Sequence, residues 1–345
     1  MNARFGGEWE RLSLVKVLVT GATGFVGRRL LPRIINEGYS AVALVRSTSN
    51  TEGLPSEVEI READLFAIET LEAAVQDVDV VIHLAAYFDF YPSDVDLLYR
   101  VNVDGTRNLM NACVGTTVDR FIYGSTTETI GPVRYPPGNE DTELNPAFDY
   151  GKSKVMAEDV VRQIGKETGL DYIILRPTGI MGEGDFYTAF EMIEAVNEGA
   201  LPVLPGDGKK HIMYTHIDDV IEGFMRAITS KSALNTTLIL CPDAPLTYNE
   251  LLECLSEYLG VGLPKTRVPT SLAKIGMGLM SPLKNRKKTT FLWHPQTVQS
   301  MDEERWYENK RAKRLLGWGP KITMKEGLKR AIDWYYENGF LEKKG

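Results

Sequence analysis

Residues 15–20, Val-Lys-Val-Leu-Val-Thr, run directly into glycines at 21, 24 and 27. A short, β-branched, almost uninterrupted apolar run reads as a strand buried on both faces, the habit of parallel sheets. Glycine at its end lets the chain turn sharply and lets a ligand approach the backbone. A helix starting there presents free N–H groups and a partial positive charge, so the unit is a cradle for a pyrophosphate.

The pattern continues. Strand-like runs at 41–45, 78–84, 120–123 and 172–175 alternate with helical stretches at 25–37, 71–75, 94–113 and 150–167. Such alternation predicts right-handed βαβ crossovers and an α/β Rossmann fold with a doubly wound parallel sheet. That sheet is expected to span 14–177, with the chain returning to it around 211–242 through a strand at 234–240. Residues 178–210 and 243–345 are expected to form a smaller substrate-binding lobe. The least regular part, 264–299, carries an apolar stretch at 271–280 followed by Lys284, Arg286, Lys287 and Lys288. It reads as a lid with a solvated basic end, an amphipathic membrane-surface segment being the alternative.

A formal charge of −8 over 345 residues argues against a broad basic surface, so the expected partner is a small molecule and not nucleic acid. Three cysteines without a Cys-x-x-Cys pair, and four histidines without ligand spacing, point away from disulfides and metal. A reducing cytoplasm fits that usage. Residues 1–14 have charges at Arg4, Glu8, Glu10 and Arg11 and no signal-like apolar core. No run approaches the ~18 apolar residues of a membrane span. A homodimer is compatible with all of this.

Tyr150 and Lys154 stand one helical turn apart on one face. A lysine ammonium and a cationic nicotinamide are expected to lower the phenol from its usual ~10. The phenol then exchanges the substrate hydroxyl proton while hydride moves to or from the cofactor.

Gly21-Ala22-Thr23-Gly24-Phe25-Val26-Gly27, followed by Tyr150 and Lys154, closely resembles the extended short-chain dehydrogenase/reductase family, within the NAD-dependent epimerase/dehydratase superfamily. The resemblance covers most of 15–245. It implies cofactor contacts along that glycine segment, at Asp64-Leu65 beside the adenine, at Leu84-Ala85-Ala86, at Asn102, and at Pro177 and Ile180 near the nicotinamide. It implies that Thr126 binds the reacting oxygen, with Ser125 as the fallback. Glu128 matches the glutamate that serves as a base in sugar-nucleotide dehydratases and decarboxylases. Tyr87, Thr127, Glu128, Met181 and Tyr214 are the expected substrate contacts.

Two choices depend on particular residues. At the end of the second strand stand Val45 and Arg46, then Ser47, Thr48 and Ser49, with no acid to hold a ribose hydroxyl. A guanidinium suits a 2′-phosphate, so NADP is expected over NAD. The segment Gly206-Asp207-Gly208-Lys209-Lys210-His211-Ile212 has isoleucine where sugar-nucleotide enzymes carry a diphosphate-binding arginine. The tail from Tyr307 to Trp318 instead resembles the hydroxysteroid dehydrogenase and dihydroflavonol reductase branch. Tyr87, Phe88, Phe90, Tyr91, Met181 and Phe186 would suit an apolar pocket. The expected activity is an NAD(P)-dependent interconversion of a secondary alcohol and a ketone on a small ring-containing substrate. A nucleotide-sugar epimerase, dehydratase or decarboxylase, with Lys209, Lys210 or Arg305 replacing the arginine, is the alternative. A catalytically silent NAD(P)-binding sensor or scaffold is the second.

Overall fold

The computed structural model describes residues 15–201, 203–280 and 294–343. Lys16–Thr20 (β1), Ser40–Val45 (β2), Glu59–Glu62 (β3), Val80–His83 (β4), Arg120–Gly124 (β5), Asp171–Pro177 (β6) and Thr236–Leu240 (β7) form one sheet. Its order is β7-β6-β5-β4-β1-β2-β3, and every pairing in it is parallel. Side chains alternate between faces along each strand. Val17, Val19, Ile82 and Leu175 therefore pack with Leu30, Ile34 and Phe224 on one side. Leu18, Val81, Phe121 and Ile174 pack with Leu109, Met110 and Val161 on the other.

Helix α1 (Phe25–Asn36) follows β1 directly. The strand β3, Glu-Ile-Arg-Glu, carries no apolar signal because it is an edge strand; Ile60 is 44% exposed. The single helix expected at 94–113 is interrupted. Val95–Tyr99 passes into a π-turn, Arg100–Asp104, before Gly105–Cys113 resumes the α-helix. The widened turn places Asn102 inside, 1% exposed. Helix α2 (Asp149–Thr168) precedes β6 and carries Tyr150 and Lys154.

The chain returns to the sheet through β7, which pairs in parallel with β6. The return begins later than 211, however. Ile212 and Tyr214 belong to a second core with Met192, Leu251, Leu328 and Tyr335, whereas Ile217–Thr229 covers the sheet. The tail also departs from the expected division: Ala312, Leu316 and Trp318 fold back onto the sheet-side core. Trp318 Nε1 donates to the Asp219 carbonyl at 2.8 Å, so a large buried indole anchors that strap.

Thr270–Met280 is helical, and its Leu272 and Ile275 are exposed. None of its described side chains, 270–275, lines the cleft; Thr297 and Ser300, from Pro295–Ser300, do. Lys284, Arg286, Lys287 and Lys288 lie outside the described residues, as do residues 1–14. No helix of the described residues is long and apolar enough to cross a membrane.

Candidate active site

A cleft of about 770 Å³ opens at the carboxyl ends of β1, β2, β4, β5 and β6, where doubly wound sheets place their ligands. Gly21 turns the chain at φ +65°, and a Cβ there would stand 2.7 Å from the Ala85 nitrogen. At Gly27 a Cβ would stand 2.4 Å from the Gly21 carbonyl oxygen, so α1 can press onto the turn. Gly24 caps α1 without a side-chain hydrogen bond, and the first helical turn holds no acid. The leading N–H groups of α1 are thus left for an anion, and the cradle fits a dinucleotide pyrophosphate.

Thr23, Phe25, Val26, Arg46, Asp64, Leu65, Leu84, Ala85, Ala86, Pro177 and Ile180 all reach the same cleft. Arg46 is exposed, and its guanidinium makes no hydrogen bond or ion pair with the described residues. The neighbouring Arg28 is committed to backbone: it donates to the carbonyls of Thr23 at 3.0 Å, Asn50 at 2.9 Å and Glu52 at 2.6 Å. It braces the loop after β2 against the glycine turn.

Behind the wall runs a hydrogen-bond chain that the sequence did not announce. Thr20 Oγ1 accepts the N–H groups of Leu84 (3.1 Å) and Ala85 (3.0 Å). Its own proton therefore goes to His83 Nδ1, at 2.6 Å. Thr106 donates to the Asn102 carbonyl at 2.7 Å, so His83 Nε2–H donates to Thr106 Oγ1 at 3.0 Å. The Asn102 side chain binds the Tyr87 N–H (2.7 Å) and carbonyl (3.1 Å) and donates to Ser153 Oγ (2.9 Å). Ser153 then donates to the Tyr150 carbonyl at 2.7 Å. Asn102 is consequently not on the cleft wall; it ties the segment after β4 to α2 from behind.

Thr126, Tyr150 and Lys154 line one cleft. Tyr150 is buried, with Phe88 edge-on to it at 4.9 Å. Burial, reinforced by the charge of Glu128, pushes its phenol well above the ordinary range. In the protein alone the shift is thus opposite to the lowering expected with lysine and a bound nicotinamide, because desolvation dominates. Lys154 Nζ donates to the Gly124 carbonyl at 2.6 Å and lies 4.1 Å over the Tyr123 ring. Burial pulls the Lys154 ammonium down to about 7, opposed by the charge of Glu158.

The two hydroxyls after β5 have separate duties. Ser125 Oγ donates to buried Glu158 at 2.5 Å, and Arg176 grips the same carboxylate at 2.8 and 2.6 Å. Thr126 Oγ1 accepts the Glu128 N–H at 3.2 Å, which leaves its proton for a group in the cleft.

Of the expected substrate contacts, Tyr87, Thr127, Glu128 and Tyr214 line the cleft. Met181 does not: it is 1% exposed, and its methyl abuts Gly327. Phe186 also turns away, against Phe190 and Phe340, while Tyr187 faces Phe88 at 5.3 Å. Tyr91 stacks on His294 at 3.5 Å. Phe148, Met192 and Tyr248 join the wall without having been singled out. Phe148 had a local signal, since it sits just before α2.

Ile212 lines the cleft, but Lys209 and Lys210 do not; Lys210 lies 3.6 Å from Glu304. Arg305 does reach it, and its Nη1 donates to Glu128 Oε1 at 2.6 Å. No cluster of His, Cys, Asp or Glu among the described residues could hold a metal ion.

Residues 17–239 match the model of the NAD dependent epimerase/dehydratase family. The chain is 27% identical to a 3 beta-hydroxysteroid dehydrogenase/Delta 5-->4-isomerase of Mycobacterium tuberculosis, over 97% of this chain and 94% of that one. The crystal structure of gox2253 superposes with a TM-score of 0.80 at 26% identity, covering 95% of this chain and all of that one. The UDP-glucose 4-epimerase of Thermotoga maritima, solved with UDP-glucose, gives 0.76 at 24% identity, over 94% of this chain and 99% of its own, and shares the fold.

Proposed function

This chain belongs to the NAD-dependent epimerase/dehydratase family, and on that footing we propose that it interconverts a secondary alcohol and a ketone on a small, largely apolar, ring-containing substrate. NADP is the favoured cofactor. One contact carries the choice of chemistry: Arg305 is tied to Glu128 at 2.6 Å. That ion pair engages the carboxylate that a dehydratase would use as a base. It also neutralises the one guanidinium that the described residues place at the substrate end, where a diphosphate would need positive charge. The same cleft is lined by Tyr87, Phe88, Phe90, Phe148 and Tyr187, an apolar surface suited to a ring.

The nicotinamide, when bound, supplies or accepts hydride. Thr126 donates a hydrogen bond to the reacting oxygen and orients it. Tyr150 gives that oxygen its proton in reduction and takes it in oxidation. Lys154 holds the nicotinamide ribose and favours the phenolate that proton transfer leaves. Burial by the aromatic wall keeps water from the proton being moved.

The likeness to hydroxysteroid dehydrogenases favours this assignment, and the shared fold of UDP-glucose 4-epimerase favours a nucleotide-sugar reaction instead. Purified protein with NADPH or NADP, then NADH or NAD, should be assayed by cofactor absorbance against steroid, flavanone and ring-ketone panels. UDP- and GDP-sugars should be followed by product analysis, because epimerisation leaves net cofactor unchanged. Turnover of a ring alcohol or ketone is expected. Conversion of a nucleotide sugar alone would overturn it, and inertness toward every panel would leave a sensor or scaffold.

A further inference from the structure

Tyr150, Lys154 and Glu158 stand at successive turns on one face of α2, and all three are buried. The first two line the cleft; Glu158 does not. Lys154 and Glu158 are gripped by consecutive residues at the end of β5. Lys154 Nζ donates to the Gly124 carbonyl at 2.6 Å, and Ser125 Oγ donates to Glu158 Oε1 at 2.5 Å. The carboxylate is thus held near the ammonium while its hydrogen bonds go elsewhere: to Ser125, to buried Arg176 and, at 2.5 Å, to Arg162, whose side chain is 34% exposed.

One carboxylate therefore serves three cations. Guanidinium groups stay protonated in a protein, so the charge most easily lost from this cluster is that of the lysine. Burial favours the neutral amine, and Glu158 supplies the opposing charge. The other titratable groups around Lys154 do not replace it. His83, from β4, is neutral, and Tyr123, from β5, offers its ring. Tyr150 is a neutral phenol before reaction, and Glu128 is paired with Arg305. Arg176, from β6, and Arg162 repel the ammonium. Granted the role of Lys154 proposed above, we propose that Glu158 is the positioning residue that keeps Lys154 an ammonium at neutral pH, without touching cofactor or substrate.

Affinity for NADPH (or NADH if it binds more tightly), by fluorescence titration from pH 5.5 to 9.0, reads that charge. Each protein is compared with the same protein carrying Lys154→Met, which reports every other titration, a 2′-phosphate near ~6 included. The affinity ratio then isolates the ammonium. In the otherwise unmodified protein it should be about 10- to 100-fold at pH 6, the worth of hydrogen bonds from a charged group. It should fall as pH rises through about 7, where the lysine gives up its proton. In Glu158→Gln the fall should come ~1–3 pH units lower, the reach of an opposite charge within ~4–6 Å. Arg162→Gln takes a half-exposed cation off the same carboxylate, so its fall should come higher. A purely structural Glu158 would lower Tm and leave the pH of the fall unchanged. If Glu158→Gln, which strips buried Arg176 of its carboxylate, fails to fold, Arg162→Gln decides. An unmoved fall overturns the role of Glu158 alone. A ratio near one at every pH overturns the hold of Lys154 on the cofactor, and the inference with it.

Discussion

Replacing His83 by glutamine isolates one buried group whose protonation the fold forbids. His83 has no exposed surface. Its Nδ1 faces a hydroxyl whose lone pairs are taken by Leu84 and Ala85, so that nitrogen must accept. A second proton there would meet the Thr20 proton in a site without water. Burial, with the charge of Lys154 adding to it, holds the imidazole down to about 3. In the unfolded chain the ordinary value is ~6.5. Between these values the unfolded chain binds a proton that the folded one refuses. Stability is therefore full above ~6.5 and lost as pH falls toward 3. From pH 7.5 to 5.0 the loss due to this one group amounts to about 2 kcal/mol, from those two pKa values and 1.36 kcal/mol per unit. Glutamine does not titrate, so His83→Gln removes it. The assay is urea unfolding at pH 7.5, 6.0 and 5.0 for both proteins. At pH 7.5 the variant should be less stable by ~1–2 kcal/mol through impaired hydrogen bonds. By pH 5.0 the gap should have closed by about 2 kcal/mol. Parallel pH profiles would refute both the neutral tautomer and the directed chain from Thr20 to Tyr150.

Tyr150→Phe should lower turnover by ~10²–10⁴ with little change in cofactor affinity, read by steady-state kinetics and fluorescence titration; near-normal turnover would move the proton transfer elsewhere. Arg46→Ala should weaken NADPH binding by ~10- to 100-fold, the worth of charge-assisted hydrogen bonds to phosphate, while leaving NADH nearly unchanged. Equal affinities in the unmodified protein would remove the basis of that assignment. Thr126→Ala should depress kcat, whereas Ser125→Ala should mainly depress Tm, since Ser125 serves buried Glu158; the reverse pattern would exchange their roles.

The features visible in the chain itself are those whose physics is local. A β-branched run followed by glycines at fixed spacing is a strand, a sharp turn and a helix start, whatever surrounds it. Tyr150 and Lys154 share a helix face because the helix repeat puts them there, and alternation of strand and helix leads to a parallel sheet with β7 returning to it. Where local chemistry was silent, legibility ended: β3 is an exposed edge of charged residues, and the π-turn at Arg100–Asp104 leaves no periodic mark.

Tertiary structure decided everything that depends on pairing distant residues. His83 meets Thr20 and Thr106, Asn102 meets Ser153, and Arg28 grips the loop after β2 only once the sheet has brought their strands together. Burial is equally non-local, and it reversed the expected direction at Tyr150. It also turned Met181 into a packing residue, and half-exposed Phe186 points away from the cleft, because a residue's neighbours in the chain do not say which side of a lobe faces it. The contact that bears most on substrate, Arg305 with Glu128, joins residues 177 positions apart in the chain. Sequence supplied both charges, but only the closed fold brings them together and pairs them beside the cleft.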